Sequence, residues 1–495
     1  MTWRVSGQRP HGWTLMRRRT KTLKTILTPI LIFFFLLASA RPPAFALSTE
    51  DERVLGEEFR ASVLRQLDMV ADGFAEDYIN DLGQYITRAL ETKSFPFQFY
   101  LVKDNTPNAF AGPGGHIFFY SGLIEMMDDV DELAAVMAHE IGHVSARHLS
   151  NRIEQNKFMT IAVLAGMLAG ALMGGKAGGA IATGTMAAGI QKQLSYSRED
   201  ERHADTLGFN YMEESRFRPT GMITVLKRLE RLAPGGTDAI PPYLLTHPGG
   251  PERVSTSETL MSQYVPKPES NESIRFRKLF PYLKAVLIAK TTDFQRASRY
   301  FNRESQANPE SPVVQFGLGV VQKERMDYPS AIEHFDKALK GAPDLTPILI
   351  ELADAYQLQG QDRKAIEVAE RVLRTDERNK AALYLTGSSY QNLEDFSKAT
   401  VFYERLVTMR PVKDEVFYNL GVCYGRQEKL AVAHYNTGVY FLRIYDFQKA
   451  RYHLLKADQL AGNDQGLKNR IQEAMQALPK QSIFSSSKEE SKSRR

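Results

Sequence analysis

Two histidines four residues apart, with a glutamate directly after the first, stand out for chemistry in this 495-residue chain: His139-Glu140-Ile141-Gly142-His143. The stretch that carries them, from Asp131 through Leu133-Ala134-Ala135-Val136-Met137-Ala138, is helix-prone. Residues four apart share one face of a helix, so both imidazoles can reach a single ion. This is the H-E-x-x-H pattern of zinc hydrolases, and it places Glu140 as a general base toward water activated at the ion. Five letters also arise by chance, so the reading needs a third ligand, a surface for substrate and a suitable compartment.

A metal that keeps one position open for water needs three protein ligands. A third histidine six residues beyond the second would give the metzincin pattern, but Leu149 stands there. His148 is one residue off and falls on a different face if the helix continues. A downstream carboxylate is the alternative, and the run Ser197-Arg198-Glu199-Asp200-Glu201-Arg202-His203-Ala204-Asp205 supplies it. Glu201 and Asp205 share a helical face, and Ala204 is small enough to let that helix approach the His139 helix. Glu201 can then ligate zinc while Asp205 hydrogen-bonds the free nitrogen of a ligand histidine. The competing reading of such a charge run is a solvated helix face.

Elements must position these residues. Apolar side chains recur at helical spacing between residues 50 and 90, which predicts two helices. Residues 97–102 and 116–120 read as strands, the second following the turn residues Pro113-Gly114-Gly115. A short strand just upstream of the His139 helix could be a free edge on which an extended substrate lies; an ordinary hairpin is the other reading. Between the proposed ligands, residues 158–190 are almost wholly apolar and glycine-rich, with Lys176 the only charge. Two crossings of a bilayer need about 40 residues, so the stretch reads as a mobile or membrane-facing hairpin and not a complete span.

Past Pro266-Lys267-Pro268 a 34-residue period takes over: Ala297, Ala331, Ala365 and Ala399 are equally spaced, as are Pro309 and Pro343. Phe301, Phe335 and Tyr403 accompany them, and small residues with interleaved aromatics at this period resemble the tetratricopeptide repeat. Gly438, Ala450, Leu454 and Ala457 fit a unit half a period out of phase, so one helix near residues 430–443 should serve two neighbours. A last helix to Leu478 caps the array, and residues 481–495, all polar or charged after Phe484, should be disordered. Such solenoids present a concave surface to peptides or partner helices.

Composition bounds the compartment and the partners. The chain is 43% hydrophobic and 24% charged, ordinary for globular protein. Its formal charge of +5 is concentrated at the ends: residues 1–46 hold eight Arg or Lys and no acid, and residues 481–495 add a net two. Subtracting these leaves −5 over residues 47–480, which excludes nucleic-acid binding by charge. The single cysteine, Cys423, excludes a disulfide framework and any cysteine-rich zinc module. Arg17-Arg18-Arg19, Lys21 and Lys24 precede an apolar run over residues 26–38, then Ala44-Phe45-Ala46, the parts of a signal peptide cleaved after Ala46. Met16 is an alternative start. Export to the periplasm follows for a host with two membranes.

The motifs together resemble the M48 family of zinc endopeptidases. They are Asn108-Ala109-Phe110-Ala111 with Pro113-Gly114-Gly115, Ala138-His139-Glu140-Ile141-Gly142-His143-Val144, Ser197 with Glu201 and Ala204-Asp205, and Thr246-His247-Pro248 with Arg253, in that order. The resemblance implies one Zn2+ per chain held by His139, His143 and Glu201, Glu140 as general base and Asp205 orienting a ligand. It also implies catalytic roles for His247, through substrate, the oxyanion or the resting metal, and for Arg253, as support of the cleft. The fold implied is mainly α: a gluzincin-type domain with a small β-sheet over residues 47–270, then a repeat α-solenoid over 278–480. An exported peptidase with repeats resembles family members that act in envelope quality control. The implied substrates are misfolded or misassembled envelope and outer-membrane proteins, the implied partner is the outer-membrane assembly machinery, recruited through the repeats, and residues 158–190 would touch a membrane surface. The rival from another class is a chaperone or scaffold whose zinc is structural and whose site stays closed.

Overall fold

A computed structural model of the chain describes residues 48–155, 195–232, 241–409 and 412–478. The expected signal peptide (1–46), the apolar hairpin (158–190) and the polar tail (481–495) lie outside the described residues. The described fold is mainly helical, with one three-stranded sheet near its N-terminal end and an α-solenoid of tetratricopeptide type after it. Among the described residues no helix is long and apolar enough to cross a membrane.

The first part begins with α1 (Thr49–Gln66) and α2 (Gly73–Ile86), the two helices expected from the apolar spacing. Three strands follow: β1 (Gln98–Val102), β2 (Ala109–Ala111) and β3 (His116–Tyr120). Their order is β1-β3-β2, with β1 parallel and β2 antiparallel to β3. This corrects the sequence reading twice. The two predicted strands do not form a hairpin, and β3, just upstream of the His139 helix, is the paired centre of the sheet and not its edge. The outer strands are β1 and β2, and β2, with three residues, is too short to show an alternating pattern. Gly114 (φ 71°) and Gly115 (φ 88°) turn the chain from β2 into β3, a conformation that favours glycine.

Alternate strand residues face opposite ways, and both faces of the sheet are covered. Phe110, Phe118 and Tyr120 pack on Phe59 and Val63 of α1. Phe99, Leu101, Ile117 and Phe119 join α2 and the main core. That explains why every residue of β3 is buried, His116 included.

After α3 (Ser121–Glu125) come α4 (Val130–Ser145), α5 (His148–Gln155), α6 (Arg198–Glu214), α7 (Thr220–Arg231), α8 (Pro242–Thr246) and α9 (Pro251–Ser262). The long helix α10 (Asn271–Thr291) runs unbroken from this part into the repeats. Its Phe276, Phe280 and Leu283 are buried in the same core as Ile79 of α2 and Leu133 of α4. On its other side that core continues through Ala297 and Phe335 as far as Leu385.

The repeats are α11 (Phe294–Ala307), α12 (Pro312–Glu324), α13 (Tyr328–Gly341), α14 (Thr346–Leu358), α15 (Asp362–Thr375), α16 (Lys380–Asn392), α17 (Phe396–Val407), α18 (Asp414–Arg426), α19 (Leu430–Arg443), α20 (Phe447–Leu460) and α21 (Gln465–Gln476). The four alanines of the 34-residue period are wholly buried. The rings of Phe301 and Phe335 fill the places that side chains at Gly317 and Gly319 would occupy. Helix α19 packs on both α18 and α20, the shared helix expected where the period slips.

A buried ionic cluster ties the two parts together. Lys290 of α10 bonds Asp72, the N-cap of α2, at 2.5 Å and Glu351 of α14 at 3.2 Å. Glu351 in turn meets Lys323 of α12 at 2.5 Å, and Lys323 also pairs with Asp354.

Candidate metal centre

Local sequence explains why each element stands where it does. Asp129 caps α4 by accepting from the backbone of Asp131 and Glu132, satisfying donors that a helix start leaves open. Asp131 is clamped by Arg277 of α10 at 2.8 and 3.0 Å and by Arg218 at 3.2 Å, while Glu132 meets Arg228 at 3.1 Å. Ser197 and Asp200 form a reciprocal capping box at the start of α6. The two helices then cross closely: a side chain at Gly142 would meet the Ala204 carbonyl at 3.0 Å, and one at Gly208 the His139 amide nitrogen at 3.1 Å. Short helix α8 delivers His247, whose ring stacks on Tyr243 with centroids 4.6 Å apart. Gly250 (φ 145°) leads into α9, which carries Arg253.

The crossing brings His139, His143, Glu201 and His247 together, all buried, with one donor atom from each within 4.8 Å of the others. His139 Nε2 lies 3.0 Å from His143 Nε2, 3.3 Å from His247 Nδ1 and 3.5 Å from Glu201 Oε2. Glu201 Oε1 lies 3.4 Å from His143 Nε2 and 3.1 Å from His247 Nδ1. Arms of about 2.0–2.1 Å in a tetrahedron give edges of about 3.3 Å, so this donor set has the dimensions for Zn2+. Its charge fits too. Formally, Glu140, Glu201 and Asp205 carry three negative charges against the single guanidinium of Arg253, and the remaining two match a divalent cation. Three imidazoles and one carboxylate are a donor set that suits zinc.

The surrounding bonds orient the donors. Asp205 Oδ1 is 2.8 Å from His139 Nδ1, and Arg253 grips Asp205 with two bonds of 2.8 and 2.6 Å. Arg253 Nη1 also reaches Glu201 Oε2 at 2.8 Å. Burial alone would raise the carboxyls of Glu201 and Asp205, but Arg253 together with the neighbouring histidines holds both below the usual carboxylate range. Burial and Arg253 oppose a proton on His139, yet its bonds to Asp205 and Glu201 raise its pKa to about 9. Burial instead drives His143 well below the ordinary histidine value. Glu140 is wholly buried, with neither oxygen hydrogen-bonded among the described residues; Oε1 sits 3.4 Å from His247 Nε2. A buried carboxylate left open is available to an external proton donor.

All seven residues singled out from sequence therefore meet in one place: His139, Glu140, His143, Glu201, Asp205, His247 and Arg253. Two neighbours escaped the sequence reading. Tyr196 stacks on His143 with centroids 3.9 Å apart, and its amide donates to Thr246 O at 2.9 Å. His148 is not on another face of the same helix. Helix α4 stops at Ser145, Arg147 adopts φ 53°, and His148 folds back so that its Nδ1 lies 2.9 Å from His143 Nδ1. An arginine forced into left-handed backbone has no sequence signature, so only the structure exposes this turn.

Residues 75–260 match peptidase family M48, and residues 282–345, 324–388 and 381–413 match tetratricopeptide repeats. The chain is 31% identical over 325 residues to a putative beta-barrel assembly-enhancing protease of Vibrio cholerae, covering 63% of this chain and 62% of that one. It is 32% identical over 224 residues to the beta-barrel assembly-enhancing protease of Escherichia coli, covering 44% and 46%. The mitochondrial metalloendopeptidase OMA1 of Schizosaccharomyces pombe is 26% identical over 208 residues, covering 42% and 59%. The chain thus spans between about half and just under two thirds of the relatives it matches.

Proposed function

We propose that this chain, which carries a peptidase family M48 domain followed by tetratricopeptide repeats, is an exported zinc metalloendopeptidase that acts on misfolded or misassembled proteins of the bacterial envelope. The observation that carries the reading is the convergence of His139, His143 and Glu201 on one point with the open carboxylate of Glu140 beside them. His139, His143 and Glu201 would hold the ion. A bound Zn2+ supplies Lewis-acid activation of water and of the scissile carbonyl. Glu140 takes the proton from the attacking water and returns it to the leaving amine. Asp205 keeps the proton on His139 Nδ1 so that Nε2 faces the ion, and Arg253 holds Asp205 and Glu201 in place.

Strand β2 packs beside α4 and, among the described residues, is an outer strand of the sheet. An extended substrate would add to it by backbone hydrogen bonds. The peptidase domain is taken as residues 47–270 and the repeats as 278–480, with the repeats recruiting substrate or the outer-membrane assembly machinery. The signal-like residues 1–46 support export, and the envelope role rests on the names of the bacterial relatives. The test is Glu140→Gln in the full mature chain. It should keep one zinc by elemental analysis and lose cleavage of an unfolded protein; undiminished cleavage rules out the peptidase reading.

One observation favours a second reading. His247 Nδ1 completes a four-donor set, and a zinc with four protein ligands is a closed, structural site of the kind a chaperone or scaffold would carry. His247→Ala separates the two. If His247 only blocks an active site at rest, cleavage rises; if it stabilises the oxyanion, cleavage falls with zinc retained; if the site is structural, zinc weakens and no cleavage is seen in either form.

A further inference from the structure

We infer that His148 is a positioning residue for the metal centre, the group that fixes the tautomer and ring plane of His143. The inference rests on the reading of His143 as a metal ligand. A ligand histidine binds through one nitrogen and needs an acceptor for the proton on the other. The two histidines of the motif solve this differently. His139 has Asp205, a carboxylate, on its Nδ1 at 2.8 Å. Among the described residues, His143 Nδ1 has the imidazole of His148, nitrogen to nitrogen at 2.9 Å. With its Nε2 turned toward His139 and Glu201, His143 carries its proton on Nδ1, and His148 Nδ1 accepts it.

That assignment sets the next one. His148 must keep its own proton on Nε2, which lies 3.3 Å from His203 Nδ1 and 3.7 Å from Asp200 Oδ1 on α6. His148 is 6% exposed, whereas His203 stands at the surface, so the chain of imidazoles runs from the ligand to solvent. The geometry is built by two further features. Arg147, in left-handed backbone, reverses the chain between α4 and α5, and its guanidinium bonds Glu52 of α1 at 2.9–3.0 Å. Tyr196 covers the face of the His143 ring, leaving its edge to His148. Helix α1 thus supports the metal centre through Glu52, Arg147 and His148, without touching it.

The test uses the full mature chain and reads metal, not turnover. Zn2+ affinity is measured by competition with a chromophoric chelator, and the Co2+-loaded protein by its visible d–d absorption. His148→Ala should weaken Zn2+ by about 10–100-fold and alter the Co2+ bands. His148→Asn, which offers an acceptor oxygen near the position of Nδ1, should recover most of both. Unchanged affinity and spectrum in His148→Ala overturn the inference, as does an Asn variant no better than Ala while both melt like the wild type. His143→Ala is the control for the underlying reading: if it binds Zn2+ as tightly as the wild type, His143 is not a ligand and that reading fails on its own.

Discussion

The molecule buries charge in two places, and they are built on opposite plans. At the junction, the deeply buried acids Asp72 and Glu351 face the buried bases Lys290 and Lys323, two against two. At the metal centre, among the described residues, Glu140, Glu201 and Asp205 face one permanent base, Arg253, with the imidazole of His139 shared between Asp205 and Glu201. Unpaired buried charge is costly, so an arrangement that neutralises itself is a joint, and one that does not is waiting for a ligand. The junction cluster spans α2, α10, α12 and α14 and joins the repeats to the N-terminal part. The metal centre leaves Glu140 without a hydrogen bond among the described residues.

Removing one charge from each cluster is the sharpest way to break that contrast. Lys290→Met strands Asp72 and should cost about 3–5 kcal/mol in urea unfolding. Glu351→Gln should cost less, because burial, only partly offset by Lys290 and Lys323, raises its carboxyl above the usual range. Glu140→Gln removes an unpaired charge and should leave unfolding unchanged or slightly harder. Equal losses from Lys290→Met and Glu140→Gln would erase the distinction.

Metal dependence comes next in size. Zn2+ at about 100 times its Kd should stabilise the chelator-stripped protein by about 2.7 kcal/mol, read as a rise in Tm. In Glu201→Gln the rise should shrink, while in Lys290→Met it should persist. A rise lost in both would mean that the two clusters are one system.

Smaller effects should follow from the α4–α6 crossing. Gly142→Ala sets a methyl 3.0 Å from a backbone oxygen, and a helix backbone yields less readily than a side chain. Overpacking of this kind costs about 1–3 kcal/mol, and here it should also loosen Zn2+ in a chelator competition.

The smallest effect is the pH dependence of the junction. Burial opposes ionised Asp72, but Lys290 outweighs it and holds the carboxyl below its ordinary 3.8, so its contribution is lost as pH falls below that value. Lys290 is raised well above 10.5 by Asp72 and Glu351 against burial, so its contribution is lost only as pH climbs through that raised value. The penalty of Lys290→Met should therefore stay flat from about pH 5 to 10 and shrink outside it. A penalty that changes near pH 7 points to histidine instead.

What could be read from sequence was whatever repeats or sits close along the chain. His139 and His143 are one helical turn apart, as are Glu201 and Asp205, and the alanines of the repeats recur at a fixed interval. Those patterns yielded the helices, the donor set and the shared helix α19. What was missed depends on contacts between distant residues. Strand β2 exists because β3 pairs with it, and three residues hold too few alternations to announce a strand. His148 was set aside by assuming an unbroken helix, and the reversal at Arg147 is held by Glu52, 95 positions away. The same limit applies to α10, whose unbroken course could not be seen in the change of composition near residue 270.

Helix α10 also bears on how such a chain can be inherited. One helix supplies Arg277 to Asp131, Lys284 to the Met127 carbonyl and Lys290 to the junction cluster. A recombination event cutting within it and importing another repeat array would arrive without those side chains and would bare Phe276 and Phe280. In an ordinary array each repeat contacts only its neighbours, which makes the array modular. Here contacts back to the first part continue along the array, from Lys380 to Asp77 at 3.3 Å, Lys413 to Glu76 at 3.4 Å and Tyr445 to Arg60 at 3.2 Å, so descent is expected to keep these repeats with the metal centre and to vary those beyond Tyr445.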